Sequence, residues 1–475
     1  MEHSAGHDID PTFYRSPADA ISAPAEKLAY VVAFDRAAQR PDALVVLDVD
    51  PDSPRYGQIA GWTDLPTSGN ELHHFGWNAC SSAFAHAGHH ANGLQRRYLL
   101  LPGLRSSDIH VYDTHPDPAS PRLARTVSAE DLADKAGYSR PHTLHCGPDG
   151  IFLSCLGGGH GADGPGGIAL LDHDTFDVLR AWETDRGGQY LAYDAWWHLN
   201  QNVLITSEWG TPSMIEDGLV PELLMGRKYG HQLHFWDLAA GKHLQTVNLG
   251  EQYQMVLELR PSHDPGQTWG FVGVVVSTED LSASVWRWSR SDDGTWRADK
   301  VITVPAEPAS PDDLPPALKP FGAVPPLVTD IDLSVDDKFL YVSCWGTGEL
   351  KQYDVSDPAH PREAGSVRLG GVVGRVAHPA FPSERLAGGP QMVEVSRDGK
   401  RIYLTNSLYG SWDDQFYPDG VGSWFAKVDT DPAAGGGLTV DERFFPHGDD
   451  FRGLRVHQVR LAGGDASSDS YCYRS

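Results

Sequence analysis

Long apolar runs are missing from this 475-residue chain. The longest fall far below the ~20 residues a helix needs to cross a bilayer, so no membrane-spanning helix is expected. Basic residues are scarce: 38 Lys and Arg stand against 64 Asp and Glu, a net charge of −26. That balance repels phosphate backbones and anionic lipid, which argues against nucleic acid and membranes as partners. Cysteine is sparse too. Cys80, Cys146, Cys155, Cys344 and Cys472 are odd in number, with no CxxC pair and no disulfide-framework spacing. Reduced thiols and a cytoplasmic setting are therefore expected. Residues 1–8 carry neither a basic n-region nor an apolar h-region, which points the same way. A periplasmic location is expected only if a signal peptide has been left off this sequence.

Turn formers, in contrast, are plentiful: 50 Gly and 34 Pro accompany an apolar content of 40%. They fall into a pattern. In one recurring unit an apolar run ends in Asp, a polar turn follows, and a new run begins. It appears at Val46-Leu47-Asp48, Val111-Tyr112-Asp113, Leu170-Leu171-Asp172, Phe235-Trp236-Asp237, Gln352-Tyr353-Asp354 and Lys427-Val428-Asp429. The long gap before Asp354 has room for one more copy, and Val285-Trp286-Arg287-Trp288-Ser289 with its Asp292-Asp293-Gly294 turn fills it. A second unit sets a polar residue in a short strand before a tight turn, as in Thr143-Leu144-His145-Cys146-Gly147-Pro148-Asp149-Gly150. The corresponding slots are His74, His145, Asp194, Glu258, Asp332, Glu394 and His457. Both units occur seven times at a spacing of roughly 64 residues, which predicts an all-β, seven-bladed β-propeller.

The ends fit closure of the ring. Residues 28–62 hold three strands without an inner partner, and the strand around His457 lacks outer ones. Pairing the N-terminal strands with the C-terminal inner strand completes a blade and removes the open edges. Residues 1–26 then read as a mobile arm and 27–475 as a single domain. Loops at 157–167, 305–326 and 370–390 interrupt the spacing, and loops of that length tend to be lids or interfaces. The Gly-rich 157–167 loop has no GK[ST] and no following helix, so it is not a phosphate loop.

In this reading the slots line the central channel. Three imidazoles and four carboxylates converge there, which is costly without a cation or protons to neutralise them. His457, His74 and His145 fall in adjacent blades. One such His is more often a hydrogen-bonded structural residue; three together suit a transition metal. His73 points away from His74 unless a bend returns it. His142 starts the His145 strand and His231 starts a third strand at the same end, so both are further candidate ligands. The carboxylates read as groups behind the metal ligands, with Asp332 and Glu394 as candidate proton acceptors and calcium as a second, structural ion. Cys80 is a candidate soft ligand or nucleophile. Cys146, Cys155 and Met255 read as core.

Glu71-Leu72-His73-His74-Phe75-Gly76-Trp77-Asn78-Ala79-Cys80-Ser81-Ser82 resembles the signature of the selenium-binding protein family, which includes methanethiol oxidases. His142-Thr143-Leu144-His145-Cys146, Ser207-Glu208-Trp209, Gly388-Gly389-Pro390-Gln391-Met392, Leu404-Thr405-Asn406-Ser407-Leu408-Tyr409, Ser411-Trp412-Asp413-Asp414-Gln415-Phe416-Tyr417-Pro418 and Gly463-Gly464-Asp465-Ala466-Ser467-Ser468-Asp469 also match, in the family's order. The resemblance implies a seven-bladed propeller that oxidises methanethiol with O2 and water to formaldehyde, hydrogen sulfide and hydrogen peroxide, with copper in bacterial members. It places the family's histidines on His73, His74, His142, His145 and His457, and its selenium-linked cysteine on Cys80. Two departures stand out. Ala83 replaces the second Cys of CSSC, and Ala466 replaces the Cys of the GGDCSSD ending. A vicinal dithiol cannot operate at Cys80, whereas a histidine-held metal is untouched.

The expectation is therefore a copper-dependent oxidase of methanethiol or a similar small thiol, with O2 as acceptor. A non-enzymatic selenium- or thiol-carrying propeller using Cys80 is the alternative. A calcium-dependent hydrolase is a third reading, disfavoured by the imidazoles. The sequence leaves homo-oligomerisation open.

Overall fold

In five of the six units that end in Asp, that residue closes the turn behind it. In the computed structural model, which describes residues 9–85 and 93–472, Asp113 accepts from His115 N at 2.9 Å, Asp172 from Asp174 N at 3.0 Å and Asp354 from Ser356 N at 3.0 Å. Asp48 and Asp237 do the same for Asp50 N and Ala240 N. A carboxylate that satisfies turn amides locally fixes the hairpin and so the strand register.

Seven four-stranded antiparallel sheets result. Their first strands touch those of neighbouring sheets around a common axis. These inner strands are buried on both faces, as in Tyr138–Cys146 and Tyr253–Pro261. Outer strands such as Lys242–Asn248 alternate between exposed and half-buried positions. The degenerate repeat is the third strand of its blade, Ala283–Arg290, paired with Trp269–Ser277. One blade joins the two ends of the chain: Leu28–Phe34 lies antiparallel to Arg455–Leu461, with Val31 opposite Val459. Among the described residues no helix is long and apolar enough to cross a membrane.

The ends of the chain do more than close the ring. Residues 9–26 of the expected mobile arm lie against the propeller, because they carry partners for groups buried there; residues 1–8 lie outside the described residues. Phe13 is buried, Asp10 and Thr12 bind Arg96, and Glu26 accepts from Arg401 and Tyr403. The tail after Leu461 crosses the channel at the C-terminal ends of the inner strands. Ala466 N donates to Val395 O, Ser468 O faces Cys146 Sγ, and Cys472 O accepts from Asn200 N.

Asp469 in this tail accepts from Ser81 N at 2.8 Å and from Arg96 at 2.7 Å, with both side chains buried. Asp469→Asn leaves the Arg96 guanidinium buried without a counter-charge. We expect it to destabilise the fold by about 3 kcal/mol, read as a lowered denaturant midpoint at unchanged slope.

Candidate metal and thiol site

Four inner strands depart from ideal β geometry in one way. Arg140, Met255 and Leu327, at or just before the start of their strands, and Glu71 in the segment before Gly76–Trp77 all have φ between 52° and 65°. Side chains with a Cβ rarely adopt this left-handed backbone. Register shifts lie between Pro141 and Leu144, between Val256 and Leu259, between Val328 and Asp330, and between Val456 and Val459. Such a bulge breaks the period of two. Residues three apart can then both face the axis, as His142 and His145 do, and His457 and Arg460. The channel holds two tiers, where one polar slot per blade was expected.

The upper tier is a group of four imidazoles. Ring centroids lie 4.1 Å apart for His73 and His457, 4.3 Å for His74 and His142, 5.6 Å for His74 and His457, and 5.8 Å for His73 and His142. A bend therefore returns His73, which strict alternation would point away, and Glu71 lies within that bend. All four rings are buried, which disfavours the charged form. Burial and the neighbouring rings hold His73 and His74 well below the usual histidine range, burial and His457 bring His142 to about 3, and burial brings His457 to about 3. They are neutral donors at pH 7. His457 Nδ1–H donates to Ser407 O at 2.7 Å, which leaves its Nε2 lone pair free. Gln458 reaches His74 Nδ1 at 3.3 Å while its own carbonyl accepts from Phe75 N.

Unpartnered polar atoms gather here. His73 Nε2, His74 Nε2, His457 Nε2, the Tyr409 hydroxyl and Trp209 Nε1 are all buried without a hydrogen bond. Tyr409 lies 5.0 Å from His73, and Trp209 6.3 Å from His142. Buried polar groups are normally satisfied, so a concentration of exceptions marks a place for something else. The donor chemistry fits an ion that prefers imidazole. The rings are packed against each other rather than aimed at one point, and among the described residues no three His, Cys, Asp or Glu side chains are set to hold a metal. Rotation of at least one ring is needed for three nitrogens to converge.

The lower tier is charged, with two guanidiniums standing among five carboxylates whose burial favours their protonated forms. Arg260 reaches Glu258 and Asp332 at 3.1 Å, Asp330 at 3.2 Å and Asp194 at 3.9 Å. Arg460 pairs with Glu394 and donates to Phe75 O. The cation that the channel carboxylates require is thus a guanidinium. Asp332 and Glu394, expected as proton acceptors, are tied to Arg260 and Arg460, and among the described residues neither shares a hydrogen bond or ion pair with the four rings. Burial lifts Asp332 to about 6, and Glu394 well above the usual carboxylate range. Glu258 is the carboxylate beside the histidines: its Oε1 is 3.5 Å from His74 Nε2 and accepts from Tyr193 at 2.8 Å. Burial and the Asp194 charge raise it to about 7.

Three other candidates lie elsewhere. His145 belongs to the lower tier, where its ring packs on Trp196 at 4.0 Å and Nε2 faces Asp194 at 3.4 Å. His231 is half-buried, with Nδ1 on Tyr229 O and its amide on Glu208. Cys80 is buried with Sγ 3.0 Å from Ser82 Oγ and 3.0 Å from Cys146 O, so the second cysteine near it comes from the next blade.

A roof covers the upper tier. Tyr193, Trp209, Met255, Tyr409 and Trp412 share one apolar cluster with Leu314, Leu318 and Val324 of the 305–326 loop and with Val372, Val373 and Ala387 of the 370–390 loop. The 157–167 loop joins through Asp163, which binds Thr211 and Ser213. An almost wholly apolar cavity in this roof is lined by Leu219, Met225, Met255, Leu318, Phe321 and Trp412.

The same arrangement of blades occurs in known proteins. A crystal structure titled as a hypothetical selenium-binding protein from Sulfolobus tokodaii superposes with a TM-score of 0.93 at 52% identity, covering 98% of this chain and all of that one. A putative 6-phosphogluconolactonase from Bacteroides fragilis shares only the fold, with a TM-score of 0.53 at 11% identity. Relatives named methanethiol oxidase from Xenopus tropicalis and Homo sapiens are each 38% identical over 96% of this chain and 97% of their own. Selenium-binding protein 2 of Mus musculus is 37% identical over the same shares. The family described as 56kDa selenium binding protein matches residues 7–472, and the chain belongs to it.

Proposed function

We propose that the protein is a copper-dependent oxidase of methanethiol or a similarly small, uncharged thiol, acting in the cytoplasm. The reaction balances when methanethiol, O2 and water combine in equal amounts to give formaldehyde, hydrogen sulfide and hydrogen peroxide in equal amounts. The observation that carries this reading is the group of four neutral imidazoles with three unpartnered Nε2 atoms beneath an apolar roof. The names of the relatives support the substrate. His73, His74, His142 and His457 are the residues to hold copper, which supplies thiolate affinity and one-electron exchange with O2.

The protein's own part is positioning and exclusion. Ser407 O fixes the His457 tautomer, and Gln458 and Glu258 flank His74. Glu258 is placed to receive the thiol proton, and Tyr193 orients it. The roof favours a thiol without charge, because an unpaired charge is costly to bury.

Plasma mass spectrometry of the purified protein tests the metal. Near-stoichiometric copper is expected, falling to background in His457→Ala together with methanethiol-dependent O2 uptake. His145→Ala is expected to keep its copper. Full copper and full turnover in His457→Ala sink the proposal. Glu258→Gln should retain copper and lower kcat by about 10²-fold.

Selenium carriage on Cys80 is a second reading, favoured by the enclosed setting of that thiol against Cys146. Selenium retention lost in Cys80→Ser, with no peroxide formed from methanethiol by the parent protein, would decide for it. Unchanged oxidation in Cys80→Ser is expected.

A further inference from the structure

Away from the channel, the blade whose inner strand is Ala195–His198 brings three donor atoms together at its outer edge. His234 lies on the third strand, Gln232–Asp237, and His243 and Thr246 on the fourth, Lys242–Asn248. His234 is paired directly with Thr246. His243 reaches the same face through a register shift: Phe235 pairs with Gln245 but Trp236 pairs with His243, so Leu244 is the extra residue. The bulge turns Leu244 to solvent, where it is 58% exposed, and aims His243 back at His234.

The spacing is regular. His234 Nδ1 and His243 Nε2 are 3.1 Å apart, and Thr246 Oγ1 is 3.2 Å from each. A tetrahedral zinc ion with Zn–N bonds of ~2.0–2.1 Å holds its donors roughly 3.3 Å apart. The triangle therefore needs almost no expansion to take an ion above its plane. The lone pair on His234 is already oriented. Glu208 Oε1 lies 3.0 Å from His234 Nε2, and since a carboxylate only accepts, Nε2 carries the proton and Nδ1 is bare. A carboxylate behind a ligating imidazole is a recurrent device of metal sites. Glu208 is itself held, because its second oxygen accepts from His231 N and Gln232 N.

Access is also provided. His234 is fully buried, His243 is half-buried and Thr246 is exposed, so solvent can supply a fourth ligand. Gly187 makes room for the His243 ring: a Cβ there would come within 2.5 Å of Nδ1.

We propose that His234, His243 and Thr246 form a second metal site, separate from the channel, for a divalent transition ion such as zinc. It does not rest on the oxidase reading. The test is equilibrium dialysis of the full-length protein against Zn²⁺, with bound metal counted by plasma mass spectrometry. The parent should bind one more zinc ion per chain than His243→Ala, and His457→Ala should keep that ion. Thr246→Val and Gly187→Ala should each weaken it by about tenfold, with circular dichroism and thiol oxidation unchanged. Glu208→Gln should weaken it 10- to 100-fold, about the effect of losing such an outer partner. Equal zinc content in the parent and His243→Ala overturns the proposal and leaves a hydrogen-bonded trio only.

Discussion

Arg260 lies among Glu258, Asp194, Asp330 and Asp332, far from bulk water. A ring of inner strands brings its channel side chains to one axis, and every acid placed there must be paired or protonated. Moving one unpaired ion out of water costs several kcal/mol, so the four acids and the guanidinium are interdependent. Removing the arginine strands the acids. Removing an acid leaves less to hold the arginine. Backbone amides join the arrangement: Val393 N and Val395 N donate to Asp330 and Asp332, and Leu259 N donates to Asp194. These bonds run from one blade to the next, so charge balance on the axis also sets how blades sit against each other.

That balance frees the upper tier. The carboxylates are committed to Arg260 and Arg460, and among those described Glu258 alone also reaches the upper-tier histidines. Four imidazoles can then sit together uncharged, each disfavouring protonation of the next. In water such a cluster would hydrogen-bond to solvent. Under the roof of Trp209, Tyr409 and Trp412 it has few partners, and its nitrogens are left for whatever enters. The left-handed residues at Glu71, Arg140, Met255 and Leu327 cost about 1 kcal/mol or more each. They begin or precede the inner segments on the roof side, at the same place in four blades, as expected where backbone strain helps to aim side chains.

The propeller was legible because its signals are local. An Asp that caps its own turn, a Pro-Asp-Gly hairpin and a constant spacing need no knowledge of distant contacts. The site was legible in part. His73, His74, His142 and His457, all named from the sequence, are brought together by the fold, whereas His145 lies a tier below them beside Asp194. Counting alternate residues placed one slot per strand, and a bulge cannot be read from that count. The same assumption hid Arg460, three residues after His457, whereas Arg260, two after Glu258, lay on the slot's own face and was passed over. The roof escaped for a different reason. Its aromatics come from segments around residues 209 and 409–417 that have no periodicity, and only the closed ring brings them over the histidines. His231 lies apart from the four rings because the start of a third strand is separated from the axis by two strands of its own blade.

Cys80 and the histidines show why one fold can carry two reputations. The family motif places them within seven residues, so the sequence suggests one site. The structure separates them. His73 and His74 turn into the channel under the roof, whereas Gly76–Trp77 pairs with Tyr98–Pro102 and carries the chain on to Cys80, which rests on Cys146 O beside the C-terminal tail. A soft thiol enclosed by backbone suits slow, tight capture of an electrophilic chalcogen. Neutral imidazoles beneath an apolar cavity suit turnover of a small thiol. The two chemistries favour opposite surroundings, and the thiol and the imidazoles lie at opposite ends of the inner strands.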